Sequence, residues 1–90
     1  MSAVHKYMAL IERFLDRQIQ ATEFERLYLD SFKKESEWFG GELFDTLQGV
    51  FSACDEFCDD PALRDEGDLD EQQLREECEI ALRKLKELVK

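Results

Sequence analysis

Apolar residues recur three or four positions apart in four segments of the chain, which is the pattern of amphipathic helices. The first predicted helix covers about residues 3–18. The second is predicted to begin at Thr22, because Thr22 and Glu25 have the spacing of a capping box, and to extend to about Glu37. The apolar faces are Val4, Tyr7, Met8, Ile11, Phe14, Leu15 and Ile19 in the first helix, and Phe24, Leu27, Tyr28 and Phe32 or Ser31 in the second.

Gly40 and Gly41 interrupt the pattern, since two residues without side-chain constraint favour a break between helices. The third predicted helix begins near Glu42 and ends before Pro61, which cannot continue it. Gly49 in its middle is predicted to allow close packing against a neighbouring helix. The apolar face of this helix consists of Leu43, Phe44, Leu47, Val50, Phe51, Cys54, Phe57 and Cys58.

The fourth helix follows a predicted loop, residues 59–69, and is predicted to begin after Asp70 as N-cap, with Gln73 completing a capping box. Its apolar face consists of Leu74, Cys78, Ala81, Leu82, Leu85 and Leu88 or Val89. No segment shows the alternation of a β-strand. The predicted fold class is therefore all-α: an antiparallel four-helix bundle, one domain over residues 1–90, with an acidic loop between the third and fourth helices.

The formal net charge of −10 is concentrated in one region. Residues 1–53 carry six basic and nine acidic residues (net −3), residues 54–79 carry two and twelve (net −10), and residues 80–90 carry four and one (net +3). Such a block of like charge is either a solvated face or a binding surface for a cationic partner. Nucleic acids and anionic membranes are poor partners for it, so we expect neither to bind directly.

Catalytic and metal-binding patterns are weak in this sequence. The one histidine, His5, has no identifiable nucleophile beside it, so we interpret it as a surface residue. Three cysteines lie on the apolar helix faces, and we predict that they are small buried hydrophobes with reduced thiols rather than zinc ligands or a disulfide framework: Cys54, Cys58 and Cys78. No enzymatic activity is therefore expected.

The acidic loop does not have the spacing of an EF-hand. With Gly67 at the sixth position of the calcium loop, the first, third and twelfth positions are Ala62, Arg64 and Gln73 instead of carboxylates. Irregular binding of a divalent ion remains an alternative, but we expect no metal and no cofactor. No apolar run approaches the roughly 20 residues that span a bilayer. Since reduced thiols are typical of the cytoplasm, we expect a cytoplasmic protein.

The remaining candidate for function is the charge itself. Carboxylates on one corner of a bundle can take the place of successive phosphates and bind the Lys, Arg or His side chains of a nucleic-acid-binding site. Some of these carboxylates also suit the start of the fourth helix, and the whole array is alternatively a solvated face. The candidate partner-binding residues are Asp55, Glu56, Asp59, Asp60, Asp65, Glu66, Asp68 and Asp70.

Two stretches resemble the colicin D immunity protein family, and some contact-dependent inhibition immunity proteins are similar. These stretches are IERFLDRQIQATEFERLYLD and GELF followed by DEFCDDPALRDEGDLDEQQL. The resemblance implies a four-helix bundle that binds the nuclease domain of a cognate toxin, a tRNA-cleaving ribonuclease in the colicin D case, and occludes its basic active site by imitating the RNA backbone. It implies no catalysis, and we expect a monomer that forms a 1:1 complex with the toxin.

In that family the inhibitory carboxylates close the third helix and continue into the loop. The resemblance assigns this role to Asp55 or Glu56 and to Asp59 and Asp60, with Asp65, Glu66, Asp68 and Asp70 as support. Here the third helix is longer and the Pro is shifted by one position, so the register of single carboxylates differs from the family pattern.

Tight binding also needs apolar anchors near the centre of an interface. Leu63, Leu69 and Phe57 are candidates that could equally belong to the core, and Trp38 and Phe39 fit either the interior or an exposed edge. The alternative function is an acidic helical adaptor or regulatory domain. Such an adaptor would bind several basic partners with modest affinity, whereas an immunity protein would strongly prefer one nuclease.

Overall fold

A computed structural model describes residues 3–35, 40–58, 62 and 69–89. The described residues form four α-helices and no strands: α1 is Ala3–Leu15, α2 is Ala21–Lys33, α3 is Gly41–Glu56 and α4 is Glu71–Leu88. Each helix packs against two others, in the cyclic order α1, α2, α3, α4. None of the described helices is both long enough and apolar enough to cross a lipid bilayer.

Neighbouring helices run antiparallel. Along α1, the ring of Tyr7 lies 5.2 Å from that of Tyr28, and the ring of Phe14 lies 4.5 Å from that of Phe24. The order of contacts along α2 is thus the reverse of that along α1. On the opposite side, α3 and α4 share a groove in which Thr46 lies beside Lys84 and Val50 beside Ala81. The predicted all-α antiparallel four-helix bundle is confirmed.

The core is rich in aromatic side chains. The rings of Phe14 and Phe24 stack nearly parallel, with 8° between their planes. Tyr28 is fully buried, and its hydroxyl donates a 3.0 Å hydrogen bond to the Leu47 carbonyl, which satisfies the polar group inside the apolar interior. The largest fully buried side chains are Tyr7, Tyr28, Phe14, Phe24, Ile11, Leu47, Leu74, Leu85, Val50, Cys54 and Cys78.

Helix α1 ends earlier than predicted, at Leu15 instead of about residue 18. The chain turns through Arg17, whose φ of 63° is left-handed. The Arg17 amide donates to the Phe14 carbonyl and the Gln18 amide to the Arg13 carbonyl, which is the hydrogen-bond pattern of a Schellman motif. The usual sequence signal for this motif is a glycine, and its absence explains why the apolar pattern overestimated the length of α1.

The predicted capping box at the start of α2 is wrong. The helix begins at Ala21, with Gln20 as N-cap and no side-chain capping bond, so Thr22 lies within the first turn. Ile19 and Ala21 are both buried, and their burial sets the path of the chain into the helix. The far end is also shorter than predicted: α2 ends at Lys33, and the predicted end at Glu37 lies outside the described residues.

Three predictions for α3 need correction. Gly49 does not allow a close helix contact, because no atom lies within 4 Å of the position a Cβ would occupy. Phe44, which was assigned to the apolar face, is 42% exposed at the edge of the bundle, where its ring lies 6.3 Å from that of Phe32. Since α3 ends at Glu56, Cys58 lies beyond the helix and is half-buried instead of belonging to the core.

The start of α4 matches its prediction. The Gln73 amide donates to Asp70 Oδ1 over 2.8 Å, and the Asp70 amide donates to Gln73 Oε1 over 3.0 Å. These reciprocal bonds form the predicted capping box. At the other end, Leu88 is 37% exposed and Val89 is half-buried, so Val89 continues the apolar face.

Candidate functional site

The end of α3 and the start of α4 are joined by a short backbone bridge. Phe57 leaves the helix in an extended conformation and pairs with Leu69 in an isolated parallel β-bridge. The Leu69 amide donates to the Glu56 carbonyl and the Cys58 amide donates to the Leu69 carbonyl, both over 2.9 Å. The chain therefore leaves the bundle and returns to it at adjacent points.

We call this part of the molecule the acidic end; it consists of Asp55, Glu56, Asp70 and Glu71 with the connecting residues 59–68. The connecting residues carry five acidic side chains and one basic side chain. The described residues on either side of this connection, Cys58 and Leu69, are hydrogen-bonded to each other. The acidic stretch of sequence therefore begins and ends at the same end of the bundle.

Three of the eight predicted partner-binding residues lie in the described part of the chain. Asp55 and Glu56 are exposed on the last turn of α3, and Asp70 is half-buried at the N-cap of α4. The bridge brings these three residues to the same end of the bundle. The others lie outside the described residues: Asp59, Asp60, Asp65, Glu66 and Asp68.

The two helix ends at this site differ in how they accommodate negative charge. Asp70 and Glu71 lie at the N-terminus of α4, where the partial positive charge of the helix stabilises carboxylates. Asp55 and Glu56 lie at the C-terminus of α3, where the helix dipole is unfavourable to them, and the last turn of α3 contains no basic residue. Within the described residues, neither Asp55 nor Glu56 takes part in an ion pair.

Arg75 connects the acidic end to the core. Its guanidinium donates to Glu71 over 3.1 Å and to the Phe14 carbonyl over 2.9 Å, and it lies 4.4 Å above the centre of the Phe14 ring. Only 11% of the Arg75 side chain is exposed, so these contacts occupy most of its surface. The guanidinium therefore fixes α4 against the end of α1 and compensates Glu71, while the carboxylates that close α3 remain exposed.

Two of the three cysteines, Cys54 and Cys78, are core residues rather than nucleophiles. Burial raises the pKa of Cys54, with Cys78 as a further cause, and burial together with Glu77 raises the pKa of Cys78 to about 12. Both thiols are therefore protonated at neutral pH, and a protonated thiol is a poor nucleophile. His5 is exposed on α1, as predicted. No group of three or more His, Cys, Asp or Glu in the described ranges is arranged to hold a metal ion.

One proposed apolar anchor belongs to the core. Phe57 is only 7% exposed, so its side chain stabilises the junction of α3 and α4 and is not available to a partner. Leu69 is half-buried against the core. Leu63, Trp38 and Phe39 lie outside the described residues.

A different apolar side chain, which the pattern of apolar residues did not predict, is exposed on α4. Ile80 on α4 is 50% exposed, more than any other large hydrophobic residue in the described ranges. It lies away from the buried stripe of α4 and among charged residues, including Glu77 and Lys84. An isolated apolar residue on the polar face of a predicted helix is the sequence signal that would have identified it.

Comparison with known protein families gives this arrangement a biological context. Residues 1–85 of the 90-residue chain match the family model described as bacterial self-protective colicin-like immunity. The chain has no significant match among curated proteins or among solved structures. The family match covers α1, α2, α3, the acidic end and α4 as far as residue 85. The chain therefore belongs to the bacterial colicin-like immunity family, whose members neutralise a bacterial toxin by binding it.

Proposed function

We propose that this immunity protein neutralises a ribonuclease toxin of the tRNA-cleaving, colicin D type. Its acidic end binds the basic active site of the toxin and takes the place of the RNA phosphates. The protein inhibits by occlusion and catalyses no reaction. It acts in the cytoplasm as a monomer that forms a 1:1 complex with the toxin domain.

The observation that carries this proposal is the position of Asp55 and Glu56. Two exposed carboxylates at the C-terminus of α3 oppose the helix dipole, and no basic side chain in the last turn compensates them. The fold gains no stability from this charge. A cationic partner that binds there would turn the unfavourable charge into a favourable interaction.

The bridge between Phe57 and Leu69 supports the same proposal. It brings together the residues before and after the acidic connection, so a stretch with five further carboxylates begins and ends beside Asp55 and Glu56. We therefore assign partner binding to Asp59, Asp60, Asp65, Glu66 and Asp68 together with Asp55, Glu56 and Asp70. A basic RNA-binding cleft is the surface that complements such a concentration of carboxylates.

Charge of this kind also accelerates binding. Complementary charges steer two proteins into contact and raise the association rate well above that of uncharged surfaces, an effect that decays over a Debye length of about 8 Å at physiological ionic strength. Rapid capture suits an immunity protein, because a nuclease that escapes for even a short time damages the cell that makes it.

The proposal is tested by expressing the chain together with the toxin domain encoded next to its gene. Growth and the integrity of tRNA are followed with and without the immunity protein. We expect the toxin alone to cleave tRNA and stop growth, and co-expression to restore both. Protection against a toxin that leaves all RNA intact would refute the ribonuclease target while keeping the immunity function.

A further inference from the structure

An exposed stripe of α3 leads away from the acidic end. Glu42, Asp45, Gly49, Ser52 and Glu56 follow one another at intervals of three and four residues, so they lie on one face of the helix, and all five are exposed. Acidic residues occupy both ends of the stripe. Its centre, at Gly49 and Ser52, is small and uncharged.

A matching stripe of α4 runs beside it: Asp70, Gln73, Glu77, Ile80 and Lys84. The two stripes border a shallow depression of roughly 120 Å³, in which Gly49 lies opposite Ile80. We call this depression the α3–α4 groove. Toward the start of α3 it continues into a wider depression between Asp45 and Lys84. In the other direction its stripes reach Glu56 and Asp70, which belong to the acidic end.

Gly49 has no explanation within the chain. It lies in the interior of α3, its φ is not left-handed, and no described atom beyond the adjacent backbone of α3 lies within 4 Å of its missing Cβ. A glycine in the interior of a helix destabilises the helix relative to alanine, because its backbone loses more conformational freedom on folding. Neither backbone geometry nor packing in the described residues compensates this cost.

Ile80 adds a second cost at the same place. Ile80 is 50% exposed to water, and the residues around it on α4 are charged. Ile80 lies opposite Gly49 and gives the α3–α4 groove an apolar centre. The acidic residues that line this groove and the depression beside it are Glu42, Asp45, Glu77 and Glu87, and the basic residue that lines them is Lys84. An apolar centre within a polar rim is the usual organisation of a protein interface.

We propose that the α3–α4 groove is the apolar centre of the surface that binds the toxin domain. An apolar side chain of the toxin lies over Gly49 and packs against Ile80, while cationic side chains of the toxin face Asp45, Glu56 and Glu77. The absence of a side chain at position 49 admits the toxin close to the backbone of α3. This inference rests on the proposed function, and it extends the binding surface from the acidic end along α3 and α4.

The inference is tested with two groove variants, Gly49→Leu, which fills the groove, and Ile80→Lys, which replaces the apolar contact by a charge of the same sign as the toxin surface. Ala9 is exposed on α1, so Ala9→Leu and Ala9→Lys are controls with matched bulk and charge. The affinity of each purified variant for a catalytically inactive toxin domain is measured by calorimetry, and its folding by circular dichroism and thermal unfolding.

We expect both groove variants to lose about 30-fold or more in affinity, the scale of a hot-spot residue, while keeping the helical spectrum. Neither should lose thermal stability, and Gly49→Leu should raise the melting temperature because leucine favours a helix interior more than glycine does. The Ala9 variants should bind like the unmodified protein. Groove variants that bind within about threefold of the unmodified protein would overturn the inference. RNA cleavage by the active toxin is a separate measurement, so a failed ribonuclease proposal and a failed groove proposal give different results.

Discussion

At the acidic end, two carboxylates close α3 and two others open α4, yet the pairs relate to the fold in opposite ways. Asp70 makes the capping bond of α4, and Glu71 is held by Arg75, so this pair contributes to folding. Asp55 and Glu56 oppose the dipole of α3 and are exposed. The comparison teaches that the helix end a carboxylate occupies decides whether it also stabilises the fold: Asp70 caps α4 in addition to its proposed role in binding, whereas Asp55 and Glu56 gain nothing from α3.

The largest expected effect comes from reversing the charge at the end of α3. We expect Asp55→Lys/Glu56→Lys to lower toxin affinity by about 100-fold or more, because close charge pairs across an interface are each worth several kcal/mol when one partner is lost or reversed. The fold should be retained without loss of stability, since lysine interacts favourably with the dipole at a helix C-terminus. Calorimetric titration with the inactive toxin domain measures the affinity.

The control for this variant is Glu12→Lys/Glu79→Lys, which makes the same change in net charge at exposed positions of α1 and α4. We expect only a small loss of affinity from it, through the change in long-range attraction. Equal losses in both double variants would show that net charge, and not the end of α3, determines binding.

The second effect concerns the structural pair. Asp70→Ala removes the capping bond and should lower the free energy of unfolding by about 1 kcal/mol, which corresponds to a fall of about 4–8 °C in melting temperature for a domain of this size. Asp70→Asn keeps an oxygen acceptor at the N-cap and should retain most of the stability. Urea unfolding followed by circular dichroism measures the free energy of unfolding of both variants. An Asp70→Ala variant with an unchanged free energy of unfolding would contradict the assigned capping role.

The smallest expected effect is a change in stability, and it concerns the two carboxylates at the end of α3. Neutralising the α3 pair in Asp55→Asn/Glu56→Gln should raise the free energy of unfolding by about 0.3 kcal/mol per side chain at low salt, because an unfavourable interaction with the helix dipole is relieved. The gain should disappear in about 1 M salt, where the Debye length is about 3 Å. A loss of stability at low salt would mean that these carboxylates support the fold after all.

The sequence predicted those parts of the fold that depend on local pattern. The four helices follow from the spacing of apolar residues, and the start of α4 follows from Asp70 and Gln73, whose side chains bond to nearby backbone. The start of α2 was missed because burial of Ile19 and Ala21, which involves distant parts of the chain, outweighs the local capping signal of Thr22. The end of α1 was missed because Arg17 fills a position that usually carries glycine.

The sequence predicted that negative charge is concentrated at the candidate site, but it did not predict how the residues of the site are arranged. The pattern located the acidic residues, yet the pairing of Phe57 with Leu69 joins residues far apart in sequence and has no periodic signal. Phe57 was misjudged as a candidate anchor because an apolar residue beside a charged loop can face either way, and its 7% exposure assigns it to the core. The exposure of Ile80 was not predicted because helical periodicity identifies residues on the buried stripe and carries no information about an apolar residue on the opposite face.

The bridge between Phe57 and Leu69 also bears on how such a protein diversifies. It joins the end of α3 to the start of α4 through residues that flank the connection, so we expect this pairing to persist when residues 59–68 are exchanged. Doubling the length of a flexible loop costs only about 0.6 kcal/mol in closure entropy. New partner specificities can therefore arise by exchange of this segment alone, and grafting the corresponding segment of another immunity protein onto this bundle is a practical route to engineered inhibitors.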